Sequence, residues 1–507
     1  MQHLARWLLL FLVLTTPPIS AFGQDHAVIP LPAVDEASRM PAVEPGAALR
    51  VVALPPTLQQ VAQHPVVSAA PLTAAPSPGA ASFSAAVTGD PQLEARLKEL
   101  EGRIAKMQTA DEKRKEADSE KKAAEAKKVS VKFTGEFQLD QVMASQDPAN
   151  KIAVGNIDNF VDFRRARLGA QGDWGDFTSY RFEMDFAQEG RPSFLDVWLQ
   201  QKQFPLVGNI KVGHFFEPFS LERLTSNRHI QFMERSLTDT FAPSRNTGVC
   251  FFDHADNLRS TWALGTFRTD SDNFGADVTE SGGQSVTGRV TWLPYWDEVA
   301  EGRYFTHIGA AYSFREARNK RVRFVQTPEV RPGAFDVVPF PVFVNTGLFN
   351  LHNWQLFGSE AVLVHGPFSL ESEYIWVPVD QIGGPDLFFS SWYVQASFFL
   401  TGECRHYNRE TATFDRLHPF ENFFRVRGQR GVATGLGAWQ VAFRVSHIDL
   451  DSYNIRGGNL LNYTVGLNWY WNPHTRLYFN YLMPRLDSPK NGVGHADFFA
   501  IRAMFEF

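Results

Sequence analysis

Cysteine is nearly missing from this chain. Cys250 and Cys404 are the only two among 507 residues, which excludes a disulfide scaffold and points to two lone thiols. Long apolar runs are just as scarce. Past WLLLFLVL near the start, charges or turn residues interrupt every apolar stretch, so no segment supplies the ~20 consecutive apolar residues of a membrane helix. Catalytic signatures are lacking too. No H-E-x-x-H, G-x-S-x-G or G-x-x-x-x-G-K run occurs, and the 14 His are scattered singly, as at His214 and His447. No enzyme, cofactor or metal site is therefore expected. Lysine is rare where arginine is not: from Val129 onward there are six Lys against 29 Arg. Acids in that stretch number 41 against 35 bases, and the whole chain carries a formal charge of −6. So mild a charge excludes neither a membrane nor an anionic solute, and no nucleic-acid partner is expected.

What the chain has in excess is aromatic side chains, with 44 Phe and 12 Trp. A soluble domain has little use for so many. Met1 to Gly23 has Arg6, an apolar run and Ala21-Phe22-Gly23, the pattern of a cleaved export signal. Residues 24–89 are Pro- and Ala-rich without periodicity, as in AAPLTAAPSPGAAS, and read as a disordered linker. Leu93, Leu97, Leu100, Ile104 and Met107 then follow a 4-3-4 rhythm before the charged EKRKEADSEKKAAEAKK. Residues 90–128 are thus expected to form a short periplasmic coiled-coil helix, its partners being copies of the same chain.

From Val129 the period changes to two. In VKFTGEFQLD, Val131, Phe133, Gly135, Phe137 and Leu139 alternate with Lys132, Thr134, Glu136, Gln138 and Asp140. SYRFEMDFA, AWQVAFRV and YTVGLNWYW repeat the pattern, and FFAIRAMFEF ends the chain with it. Alternate side chains of a strand point to opposite faces. Segments of about ten residues with aromatics near their ends suit strands that meet lipid on one face and a lumen on the other. Strands are expected near 130–140, 159–171, 177–187, 193–201, 208–215, 246–252, 258–268 and 285–293. Eight more are expected near 304–315, 353–363, 367–378, 388–401, 437–449, 461–471, 474–483 and 496–507. The fold class is all-β, a 16-stranded antiparallel transmembrane β-barrel over 129–507. Tight links such as Trp471-Asn472-Pro473-His474 are expected at one end, and the long segments 216–245, 316–352 and 402–436 at the other.

Three stretches go further. FRRARLGAQGDWGDFTSYRFEMDFA (163–187), KVGHFFEPFSLERLTSNRHIQFMERS (211–236) and LNYTVGLNWYWNPHTRLYFNYLMP (461–484) together resemble the phosphate-selective porin O and P family. The middle stretch is the most specific of the three. The resemblance implies a trimeric outer-membrane porin in outer-membrane lipid, with a loop folded into the channel and arginines feeding a constriction. On that likeness Arg164 and Arg165 match a pair of path-lining arginines. Strict alternation would send them to opposite faces, so both reach the lumen only across a bulge. Parity with Gly169 and Gln171 favours Arg165 and Arg167, and the same wall carries Arg181. Arg223, Arg228, Arg235 and Arg245 stand in or beside the inward loop. The expected solutes are small hydrophilic anions, phosphate or polyphosphate among them, since the guanidinium fork suits both phosphate and carboxylate. Against this stand Glu136, Glu183, Asp185, Glu371 and Glu373 at lumen parity, which can simply pair with the arginines. Two further readings are a general diffusion pore and a structural barrel that tethers the envelope through the N-terminal helix.

Overall fold

The computed structural model describes residues 129–507 apart from 188–191, 270–282, 334–339, 429–430 and 489–491, together with most positions between 95 and 115. The expected export signal (1–23) and linker (24–89) lie outside the described residues. Of the segment 90–128, the described positions between 95 and 115 are helical, with Ile104 and Met107 exposed. Glu99 and Arg103 pair one turn apart at 3.2 Å.

Sixteen long strands form the barrel. They are β1 (Lys132–Gln146), β2 (Phe160–Trp174), β3 (Thr178–Asp185), β4 (Ser193–Phe204), β5 (Gly208–Phe216), β6 (Arg245–His254), β7 (Ser260–Arg268) and β8 (Gln284–Trp296). The second half comprises β9 (Tyr304–Arg315), β10 (Phe349–His365), β11 (Phe368–Gln381), β12 (Leu387–Phe399), β13 (Ala438–Ser452), β14 (Ile455–Asn472), β15 (Thr475–Ser488) and β16 (Gly492–Glu506). Each pairs antiparallel with its sequence neighbours, and β16 closes on β1, with Phe505 opposite Phe137 and Arg502 opposite Asp140. All sixteen expected strands are present. No described helix is long and apolar enough to cross a membrane; the chain crosses with strands.

Alternation decides which face is which. On β1, Phe133, Phe137, Leu139 and Met143 are exposed, while Glu136, Gln138 and Asp140 are buried inside. On β16, Phe499 and Phe505 look outward and Arg502 and Glu506 inward. This inversion, greasy outside and charged within, is what a lipid solvent selects. Closure also depends on a small residue. Phe507 exchanges both main-chain hydrogen bonds with Gly135, at 3.1 and 3.0 Å, and its ring covers that glycine so closely that any Cβ there would collide with it.

Strand parity fixes the end at which each connection lies, whatever its length. Links after even-numbered strands, at 175–177, 205–207, 366–367 and 473–474, are tight. The long connections 217–244 and 316–348 follow β5 and β9 and lie at the opposite end. The connection 400–437 departs from expectation. It follows β12, so it lies at the tight-turn end with the barrel's closing strand.

The long connections enter the barrel because they have apolar surface to bury there. Phe324, Phe343 and Val344 of 316–348 join one apolar cluster with Leu351, Val379, Phe389, Ile448, Leu450 and Leu460 on the inner wall. Fully burying such a side chain stabilises by roughly 1.5–3 kcal/mol. Phe414 of 400–437 similarly packs with Phe305, Val362 and Leu221.

Candidate functional site

The segment 217–244 spans the barrel interior. Its first residue, Glu217, is a buried carboxylate that accepts from Asn246 Nδ2 at 2.7 Å and Arg315 Nη1 at 2.7 Å, which ties the loop to β6 and β9. Ser220, held at φ +67°, caps the short helix Leu221–Leu224 by accepting from Arg223 N at 3.1 Å. Two predicted arginines spend their donors inside this loop. Arg223 donates to the carbonyls of Asp239 and Ala242, both at 2.8 Å, and pairs with the Asp239 carboxylate at 3.0 Å. Arg235 donates to the carbonyls of Glu222 and Thr225, both at 2.9 Å, satisfying the orphan acceptors of the helix end.

Glu222 carries a testable pH dependence. Its carboxylate accepts from Ser236 N and Oγ, the latter at 2.7 Å, and meets Arg444 Nη1 at 3.2 Å. Burial pushes it up to about 7, outweighing the downward pull of Arg444 and Ser236. Its folded value therefore lies above its ordinary one, so docking of the loop is strongest below the usual carboxylate range and weakens as pH rises toward 7. The loss is at most about 1.4 kcal/mol per pH unit. Open-channel current noise is expected to be larger at pH 8 than at pH 5, and Glu222→Gln to flatten that difference. Equal noise at both values in the parent protein would show that Glu222 does not titrate in this window.

Farther along, the loop is clamped to the wall of β1, β2 and β16. Glu234 accepts from Arg164 Nε at 2.9 Å, Arg165 Nη2 at 3.3 Å and Arg502 Nη2 at 2.7 Å. Burial alone would raise its affinity for a proton, but Arg164, Arg165, Arg502 and Arg331 overcome it and hold the carboxyl well below the usual range. Arg164 and Arg165 both reach this carboxylate because the register slips between them: Gln138 faces Arg165 and Leu139 faces Phe163, leaving Arg164 as a bulge. Parity alone had favoured Arg165 and Arg167; the bulge brings all three inside. Nearby, Arg228 of the loop donates to Glu136 at 2.9 Å and Glu183 at 2.8 Å. Loop carbonyls of Ile230 and Gln231 accept from Arg476 and Asn468.

From the tight-turn end, 400–437 rises to meet this loop. Arg405 pairs with Glu371 at 2.5 Å and Arg416 with Glu506 at 3.1 Å. Phe414 N donates to Thr225 Oγ1 of the inward loop at 3.3 Å. Between these loops and the wall of β2 to β8 lies a cavity of about 370 Å³. Among the predicted arginines, Arg167, Arg181, Arg228 and Arg245 line it; Arg164, Arg165, Arg223 and Arg235 do not. Arg167 is held by Asp185 at 2.8 Å and Glu136 at 3.0 Å, Arg181 by Glu183 at 3.0 Å, and Arg245 by Asp196 at 2.8 Å. The lining adds two cations that sequence reasoning passed over, Lys211 and Arg289. Strand parity points to Lys211, which sits two positions from Gly213 and four from Phe215 on the inner face of β5.

The closed sixteen-stranded barrel with a loop folded into it is the architecture that the motif likeness implies; the two further inward connections and the arginine–carboxylate pairs go beyond it. The sequence model of the phosphate-selective porin O and P family matches residues 131–507. The chain belongs to that family. As a member of a porin family whose barrel wears the lipid-facing pattern described above, it is an outer-membrane channel protein. Among curated relatives it is similar to Porin O of Pseudomonas aeruginosa, 24% identical over 390 residues, covering 70% of this chain and 83% of that protein. It is also similar to an uncharacterised protein of Caulobacter vibrioides, 26% identical over 365 residues, covering 69% of this chain and 68% of the other. Solved structures with a similar trace include an anion-selective porin from Comamonas acidovorans, at 13% identity and TM-score 0.44, covering 75% of this chain and 100% of that one. The outer membrane channel DcaP of Acinetobacter baumannii is another, at 11% identity and TM-score 0.45, covering 75% and 97%.

Proposed function

We propose that this porin is an anion-preferring diffusion channel for small hydrophilic solutes, phosphate among them. The observation that carries the reading is the charge on the cavity wall. On the lining itself six cations, Arg167, Arg181, Lys211, Arg228, Arg245 and Arg289, face four acids, Glu183, Asp196, Asp253 and Glu410. Glu136, Asp185 and Glu360, which pair with Arg167, Arg228 and Arg289, stand behind that lining, so the excess of two is one of the exposed wall. Low-dielectric walls focus that excess and raise the local anion concentration. Because Arg167, Arg181, Arg228 and Arg245 are each already held by a carboxylate, no single site binds an anion deeply, and weak serial sites favour passage over capture. The proposed assembly is a homotrimer in outer-membrane lipid, with 24–128 on the periplasmic side and the helix of 90–128 joining copies of the chain.

A second reading is favoured by how much of the interior the three inward connections occupy: a structural barrel that anchors the envelope through its N-terminal helix. Planar-bilayer recording of the purified chain separates the two. In a salt gradient the anion channel gives a reversal potential on the anion side, and phosphate titrated into chloride reduces the chloride current. Conductance with no selectivity and no block leaves a general pore. Absence of conductance from folded, inserted protein supports the anchor.

A further inference from the structure

The cavity has a chemistry that inorganic anions do not use. The Lys211 ammonium sits 4.6 Å from the Trp198 ring centre, 5.1 Å from that of Phe252 and 5.5 Å from that of Phe215. Among the described residues it makes no hydrogen bond or ion pair. Asp196, a carboxylate of the same cavity lining, is taken by Arg245 in a two-point contact at 2.8 and 3.1 Å. Arg245 in turn sits over Phe216, 3.9 Å from its ring centre, another wall of the same cavity. Trp198, Phe215, Phe216 and Phe252 thus form an apolar lining studded with cations. A fully hydrated phosphate would gain the charges but would have to shed water against rings that return nothing for it. An anion with a flat apolar body uses both halves: its carboxylate replaces water at the unpaired ammonium, and its ring packs beside the aromatic walls. The volume of about 370 Å³ admits a single-ring acid together with some of its water.

We infer that this cavity is a binding subsite for small aromatic carboxylates, with Lys211 receiving the carboxylate and Trp198, Phe215 and Phe252 receiving the ring. The inference rests on the anion-channel reading above. It names the solute class which that reading leaves open.

The test uses the full-length porin in planar bilayers, with benzoate and acetate titrated separately into chloride. The two probes carry the same charged group and differ in the ring. Benzoate is expected to half-block the chloride current at a concentration at least about tenfold below that of acetate, the gain coming from ring burial. Trp198→Leu and, separately, Phe252→Leu are expected to bring that ratio toward one, and Lys211→Gln to raise the half-blocking benzoate concentration by about tenfold. If benzoate blocks no better than acetate in a channel whose reversal potential lies on the anion side, the subsite is wrong and the anion reading stands. A reversal potential at zero or on the cation side overturns both. A benzoate advantage unchanged in both ring variants would place the ring elsewhere and overturn the assignment. The parent's benzoate-to-acetate ratio decides the case even where a variant fails to fold.

Discussion

Glu234→Ala is expected to release the inward loop from the barrel wall and raise single-channel conductance. Three guanidinium groups, of Arg164, Arg165 and Arg502, converge on that one carboxylate at 2.9, 3.3 and 2.7 Å. All three arginines are buried. Removing one partner of a buried charge pair costs about 3–5 kcal/mol when the charge left behind has no other counter-ion, which here applies to Arg164 and Arg165 more than to Arg502. Arg502 keeps Asp140 through two contacts at 2.7 Å, and Arg165 keeps Gln138 at 2.6 Å, so the wall itself should stay assembled. The loop loses its central clamp. Carbonyl contacts from Arg476 and Asn468 remain, but neutral acceptors bind these donors less strongly than a carboxylate does. The expected record is a larger mean current with more open-channel noise, and Glu234→Gln should move in the same direction. A conductance and noise indistinguishable from the parent would mean that the remaining contacts, the ion pairs of Arg228, Glu217 and Glu222 among them, suffice to hold the loop, and that the arginine cluster serves some other end.

The period-two pattern made the barrel legible because it is local. Each of the sixteen strands announces itself within about ten residues, through alternation that lipid on one side and a polar interior on the other impose. The bulge at Arg164 was legible only as a condition. Two adjacent arginines with a shared likeness demanded either a bulge or a loss, and the register slip opposite Gln138 and Leu139 supplies the bulge. The placement of 400–437 was misread because its length suggested one end, whereas the number of strands before it dictates the other. The cavity was not legible at all. Its ion pairs join residues far apart in sequence, such as Arg228 with Glu136 and Arg245 with Asp196, and no spacing rule couples them. Composition offered 29 arginines from Val129 onward. It could not say that Arg223 and Arg235 would turn inward upon their own loop while Arg181 and Arg245 would face the passage.

That division sets up the sharpest test of selectivity. Arg181→Gln combined with Arg245→Gln is expected to lower anion over cation permeability by about tenfold, given the gains that charged clefts ordinarily confer. Both side chains line the cavity, and each is held chiefly by one carboxylate, Glu183 and Asp196 respectively. Neutralising them leaves Arg167, Lys211, Arg228 and Arg289 against the same four acids, so the positive excess vanishes. Asp196 also loses Arg245 and is left with Lys211 to offset its charge. Glu183 retains Arg228 at 2.8 Å, which protects the fold on that side. The matching control is Arg223→Gln. Its guanidinium serves Asp239 and two loop carbonyls away from the cavity, so it should alter loop order and current noise more than it alters the sign of the reversal potential. The two variants therefore separate charge in the passage from rigidity of the loop. If the reversal potential of the double variant stays on the anion side by the parent's margin, the selecting charges are not on this wall. The excess of cations counted there would then be incidental to transport.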